Sequence, residues 1–115
     1  MTYVTLFKKN DIISGYEIKG HAGYRPHGED IVCAAISILG YTALNSLIEV
    51  ANIDKSSLVY KIIDDEGYMK VNLKEDIGYA QSQSTQIIFQ TLIIGLRLLN
   101  EEYKEYISID FEEVD

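Results

Sequence analysis

Apolar and polar positions alternate over Thr2 to Lys8, where Val4 and Leu6 share a face, and Ile12 to Lys19 is equally rich in β-formers. Lys9, Asn10 and Asp11 lie between them as a turn, so the chain is expected to open with two strands. Gly20 to Glu29 holds Gly20, Gly23, Pro26 and Gly28, the densest group of chain breakers in the sequence, and reads as a loop. From Asp30 the period changes. Val32, Ile36, Leu39, Ala43, Leu47 and Val50 recur at spacings of three and four and predict a helix to about Ala51. After the polar stretch Asn52 to Ser57 the alternation returns in Leu58, Tyr60 and Ile62. It continues in Met69, Val71 and Leu73, with Asp65, Glu66 and Gly67 as the turn of a second hairpin.

Ser82 or Ser84 is the expected cap of a second helix. Its apolar arc is very wide: Ile88, Leu92, Gly95, Leu99 and Tyr103 lie along one line, with Ile87, Thr91, Ile94 and Leu98 beside it. Only a narrow polar stripe remains around Gln86, Gln90 and Arg97, so this helix is expected to be covered on two sides, within the fold or by a second copy of the chain. Ile107 to Phe111 alternates as a last strand before an acidic tail. The order ββαββαβ implies an α+β fold, a mainly antiparallel sheet with two packed helices, in a single domain over residues 1–115.

Composition narrows the function classes. A chain of 115 residues that is 47% apolar and 24% charged can bury a core without disulfides or metal. It opens with no leader-like segment, and no run approaches the roughly 18 apolar residues of a membrane span, so a cytoplasmic location and no membrane contact are expected. The net charge of −8, ten basic against eighteen acidic residues, opposes phosphate backbones and argues against direct nucleic-acid binding. The same charge would attract a basic protein or peptide. One cysteine makes no internal disulfide, and with only two histidines it lacks the ligand count of a zinc site, so no metal or other cofactor is expected.

Cys33 is the candidate nucleophile, and on composition alone it reads more readily as a small buried hydrophobe packed on the helix. With Asp30 as N-cap, Cys33 sits in the first helical turn, where unpaired amides and the helix dipole favour a thiolate, the nucleophilic form. Asp30 opposes that charge unless a cation compensates, and His21, twelve positions upstream across the glycine-rich loop, is the candidate partner. A strand running straight on would carry His21 to the polar face, so a bend at Gly20 is required, which glycine permits. Ser37, one turn beyond Cys33, is placed to bond near the thiol or back to its own helix.

The string Gly20, His21, Ala22, then Gly28, Glu29, Asp30, Ile31, Val32, Cys33, Ala34, Ala35, Ile36, Ser37 resembles the Prp family, the ribosomal-processing cysteine proteases of bacteria. Gln86, Gly95, Leu96, Tyr103, Tyr106 and Ile107 extend the likeness over nearly the whole chain. Ile36 stands where valine is usual, and His27 lies in the variable part of the loop. The resemblance implies Cys33 as nucleophile, His21 as general base, and Asp30 and Ser37 as supporting residues. It also implies homodimers and a substrate, the large-subunit ribosomal protein numbered twenty-seven, from which a short N-terminal extension is removed.

In that reading the open helix end beside Cys33 is the nearest supply of amides for an oxyanion, and the loop from Ala22 to Glu29 is a candidate lid. The rival readings are a non-catalytic module that holds a ribosomal protein, and a thiol redox sensor, which the absence of a resolving cysteine disfavours. Thiol reactivity separates them. A catalytic Cys33 is expected to alkylate with a midpoint well below pH 8.5, whereas a packed cysteine reacts slowly.

Overall fold

The two opening strands form as the alternation predicts. The computed structural model, which describes residues 1–114, has β1 at Thr2–Lys9 and β2 at Ile12–Lys19, paired antiparallel so that Val4 faces Ile18 and Leu6 faces Tyr16. β3 (Leu58–Ile63) and β4 (Tyr68–Leu73) form the second hairpin, and β4 continues the sheet against β2. β5 (Ile107–Glu113) runs parallel to β1, which gives a mixed, mainly antiparallel sheet of order β3-β4-β2-β1-β5. The element order is the expected ββαββαβ.

Two helices cover one face of this sheet. α1 (Ile31–Glu49) buries Val32, Ile36, Gly40, Ala43, Leu44 and Leu47, while Val50, expected on that face, lies past its end and is exposed. The Tyr16 hydroxyl, itself buried, donates 2.7 Å to the Gly40 carbonyl and ties the helix to β2. By length and composition α1 is apolar enough to cross a membrane, because its isoleucine, leucine, valine and alanine residues raise its mean hydropathy although Ser37, Thr42, Asn45 and Ser46 break the apolar run that the sequence expectation looked for. Its apolar face is used here against the sheet.

α2 (Tyr79–Tyr103) begins earlier than either predicted serine cap, at Gly78 as N-cap. Glycine caps through its backbone alone and so leaves little signal in sequence. The helix buries Thr85, Phe89, Leu92, Ile93 and Leu96. The other half of its wide arc is open: Ile87, Ile94 and Leu98 are 69%, 56% and 60% exposed. Gln86, read from sequence as part of a solvent stripe, instead reaches β2, where its side chain accepts from the Ile13 amide and donates to the Ile13 carbonyl. It occupies that backbone where the β1/β2 pairing slips by one residue between Phe7 and Lys8.

Tyr60 departs from its expected inward position. It is 46% exposed on β3, the edge strand, which pairs only with β4. The helices cover the centre of the sheet, so alternation there marks a core face, whereas at the edge it does not.

Candidate active site

The end of β2, the start of α1 and the β3–β4 turn meet at one end of the sheet. Gly20 makes the bend that the sequence requires, with φ of +91°, and its amide donates 3.0 Å to the Gly67 carbonyl of the β3–β4 turn. Gly67 has φ of +62°, and a Cβ there would lie 2.9 Å from the Gly20 oxygen and 3.1 Å from the His21 ring. A glycine at 67 thus lets the turn close onto the loop, on conformational and on steric grounds.

His21, Cys33, Asp30, Ser37 and Gly20, the five residues singled out from sequence, all line one cavity of about 480 Å3. They do not all touch. The half-buried Cys33 sulfur accepts a hydrogen bond from the Ala22 amide at 3.1 Å. His21 is exposed: its Nε2 lies 3.3 Å from the Asp65 carbonyl, and its ring meets His27 edge-on at 5.4 Å. Ser37 is exposed at the cavity wall.

Asp30 is more than a helix cap. It is 8% exposed, and its carboxylate takes four backbone amides. Oδ1 accepts from Val32 and Cys33, both at 2.9 Å, which caps α1 as expected. Oδ2 accepts from Tyr24 at 3.0 Å and Arg25 at 3.3 Å, which fastens the loop to the helix. Burial works to raise the Asp30 pKa, but the amides of Cys33, Arg25 and Tyr24 outweigh it and hold the carboxyl below its ordinary value.

Two expectations about the helix end are corrected by this arrangement. The end is not open, since the Val32 and Cys33 amides are engaged by Asp30 and the Ala34 amide donates 3.1 Å to the Asp30 carbonyl. Nor is the thiol acidic at rest. Burial raises the Cys33 pKa; the Ala22 amide lowers it, the charge of Asp30 and its hydrogen bond with the thiol raise it again, the Gly23 amide lowers it, and the net direction is upward. The groups aimed at the sulfur are therefore loop amides, not helix amides.

A pH prediction follows from that direction. Alkylation of Cys33 in the free protein should rise with pH through a midpoint above the roughly 8.5 of an ordinary thiol. A midpoint at or below that value, measured with iodoacetamide, would contradict the resting geometry.

Sequence reasoning missed several residues at this site. Tyr41 and Asp64 line the cavity, and the Tyr41 hydroxyl donates 2.7 Å to the Asp64 carboxylate, an acceptor that pushes the Tyr41 pKa up. Thr2, buried at the start of β1, donates 3.2 Å from its hydroxyl to the Gly20 carbonyl. Gly67 was read only as part of a hairpin turn. Each acts across a large sequence separation, so no local pattern marks it.

Known proteins share this fold. Residues 1–108 match the family model described as cysteine protease Prp. The ribosomal processing cysteine protease Prp of Bacillus subtilis is 26% identical over 110 residues, spanning 95% of this chain and 96% of that protein. The crystal structure of SMU.848 from Streptococcus mutans superposes with a TM-score of 0.82 at 29% identity, over 99% of this chain and 96% of that one. Prp from Staphylococcus aureus, solved with a covalently linked product peptide, has the same fold, with a TM-score of 0.80 at 23% identity, over 97% of this chain and all of that one.

Proposed function

The chain belongs to the cysteine protease Prp family, and we propose that it removes the N-terminal extension of a ribosomal protein, with Cys33 as nucleophile and His21 as general base. A single observation carries the assignment of the nucleophile. A cysteine protease requires a thiol, and Cys33 is the one cysteine in the sequence, placed at the wall of a cavity that His21 shares.

The chemistry starts from a resting state in which the thiol is neutral and His21 is turned toward Asp65. His21 precedes Ala22, whose amide touches the sulfur, and shares the cavity with Cys33, which supports its imidazole as the base that reaches the thiol. The imidazole then takes the thiol proton as sulfur attacks the scissile carbonyl, forming a C–S bond and an oxyanion. The amides of Ala22 and Gly23, which face the sulfur, are the donors placed to receive that oxyanion. His21 passes its proton to the leaving amine, and water hydrolyses the thioester to release the acid and the free thiol.

The substrate is the large-subunit ribosomal protein numbered twenty-seven, made with an N-terminal extension. The relative's description as a ribosomal processing protease supports this, and a chain of net charge −8 complements a basic ribosomal protein. The reaction takes place in the cytoplasm, where ribosomes are assembled, by a homodimer formed through the exposed stripe Ile87, Ile94 and Leu98 of α2. The enzyme needs no metal and has no direct contact with nucleic acid or membrane. Incubation with the extended ribosomal protein should lower its mass by that of the extension; an unchanged mass would remove this substrate from the reading.

A further inference from the structure

The segment Gly20 to Tyr24 has little stiffness of its own. Gly20 and Gly23 both lie in the left-handed region, with φ of +91° and +77°, so local backbone preference does not hold the chain there. Yet this segment carries the proposed base, His21, and the Ala22 and Gly23 amides that face the sulfur. Something outside the segment must fix it.

Besides the Gly67 carbonyl and the Asp30 carboxylate, two fixed points converge on the end of α2 and the turn into β5. At one end of the segment, the Thr2 amide donates 2.9 Å to the Tyr106 carbonyl, while the Thr2 hydroxyl holds the Gly20 carbonyl. At the other end the Tyr24 ring packs edge-on against two rings of that turn, Tyr103 at 5.5 Å and Tyr106 at 5.2 Å. These are the edge-to-face geometries in which aromatic pairs attract beyond simple burial. The turn is itself closed by the Tyr106 amide donating 2.8 Å to the Tyr103 carbonyl. Tyr24 meanwhile presents its backbone amide to Asp30.

We propose that Tyr24 is a positioning residue: lodged against Tyr103 and Tyr106, its ring anchors the catalytic loop and so places the Ala22 and Gly23 amides, and His21, at the Cys33 sulfur. Tyr24 touches no reacting atom and acts through the backbone on either side of it. The contact is made by the rings, so the phenol oxygen is dispensable and phenylalanine serves. This proposal rests on the catalytic reading of Cys33, but one of its tests needs no substrate.

That test is residue-resolved amide exchange by NMR in the full chain. Tyr24→Ala should speed exchange of the Ala22 amide at least tenfold, whereas Tyr24→Phe should leave it within twofold of wild type. Equal protection of Ala22 in Tyr24→Ala and wild type would overturn the proposal whatever the substrate proves to be. With a peptide spanning the extension junction, Tyr24→Ala should lower kcat by about 10- to 100-fold with a much smaller change in KM, and Tyr24→Phe should restore it. Should Tyr24→Ala fail to fold, Tyr103→Ala and Tyr106→Ala, which lie outside the loop, carry the same expectation. Where all fold, adding either to Tyr24→Ala should cost little more than Tyr24→Ala alone. Losses that multiply, or a Tyr24→Phe protein as slow as Tyr24→Ala, would contradict a shared anchor.

Discussion

Replacing Cys33 by alanine is expected to abolish peptide cleavage while leaving the chain folded. The change removes the only thiol and with it the covalent route, a loss on the order of 10^4-fold or more. The structural cost is small, because the sulfur is only half-buried, and losing its hydrogen bond from the Ala22 amide costs about 1 kcal/mol. Cys33→Ser is the sharper companion variant. It keeps an acceptor for Ala22 but substitutes a hydroxyl far harder to deprotonate, so it should be as well folded as wild type and nearly as inactive as alanine. Cleavage rates of the junction peptide, read beside thermal unfolding, check both expectations. A Cys33→Ala protein that cleaves within tenfold of wild type would remove the nucleophile from the account.

His21→Ala is expected to reduce cleavage by roughly 10^2- to 10^4-fold near neutral pH, the range associated with a positioned general base. The resting thiol makes this residue indispensable. Burial and Asp30 hold Cys33 protonated, so at neutral pH the thiolate must be generated by a base as substrate binds. The deficit should narrow as pH rises through the thiol's own midpoint, since solvent then removes the proton unaided. It should not close, because the leaving amine still lacks its proton donor. His21 is exposed, so stability should change by no more than about 0.5 kcal/mol. A deficit independent of pH would show that His21 does something other than take the thiol proton.

What could be read from sequence was local. Asp30 three residues before Cys33 forms the N-cap, and the bend at Gly20 follows from the need to turn His21 off the polar face. The wide apolar arc of α2 was legible too, and it divides into a buried half and an open stripe. The start of α2 was not, because Gly78 caps without a side chain. Gln86 looked like a solvent residue on its own helix, and its partner is 73 positions away on β2. The acidity of Cys33 was misjudged for a related reason. The helix amides credited with stabilising a thiolate are consumed by Asp30, whose carboxylate also repels it, and the amides that do face the sulfur come from a loop whose path only the tertiary structure fixes.

Tyr24, Thr2 and Gly67 show the same limit more clearly. Alone, each is an ordinary residue: a loop tyrosine, a strand threonine, a turn glycine. Their role appears only when β1, the β3–β4 turn and the end of α2 gather around residues 20–24. The conspicuous Gly-His and Asp-Ile-Val-Cys strings mark the proposed site, and the residues that hold its loop in place are scattered through the remaining sequence.

Because the chain holds one cysteine, alkylation is specific to Cys33 without any mutation. The most direct test of the central claim is therefore to measure cleavage of the junction peptide as a function of the fraction of protein alkylated, determined by intact mass. Residual activity should fall in direct proportion and reach zero when every molecule carries one adduct. Protein fully modified at Cys33 that still cleaves at the unmodified rate would contradict the account.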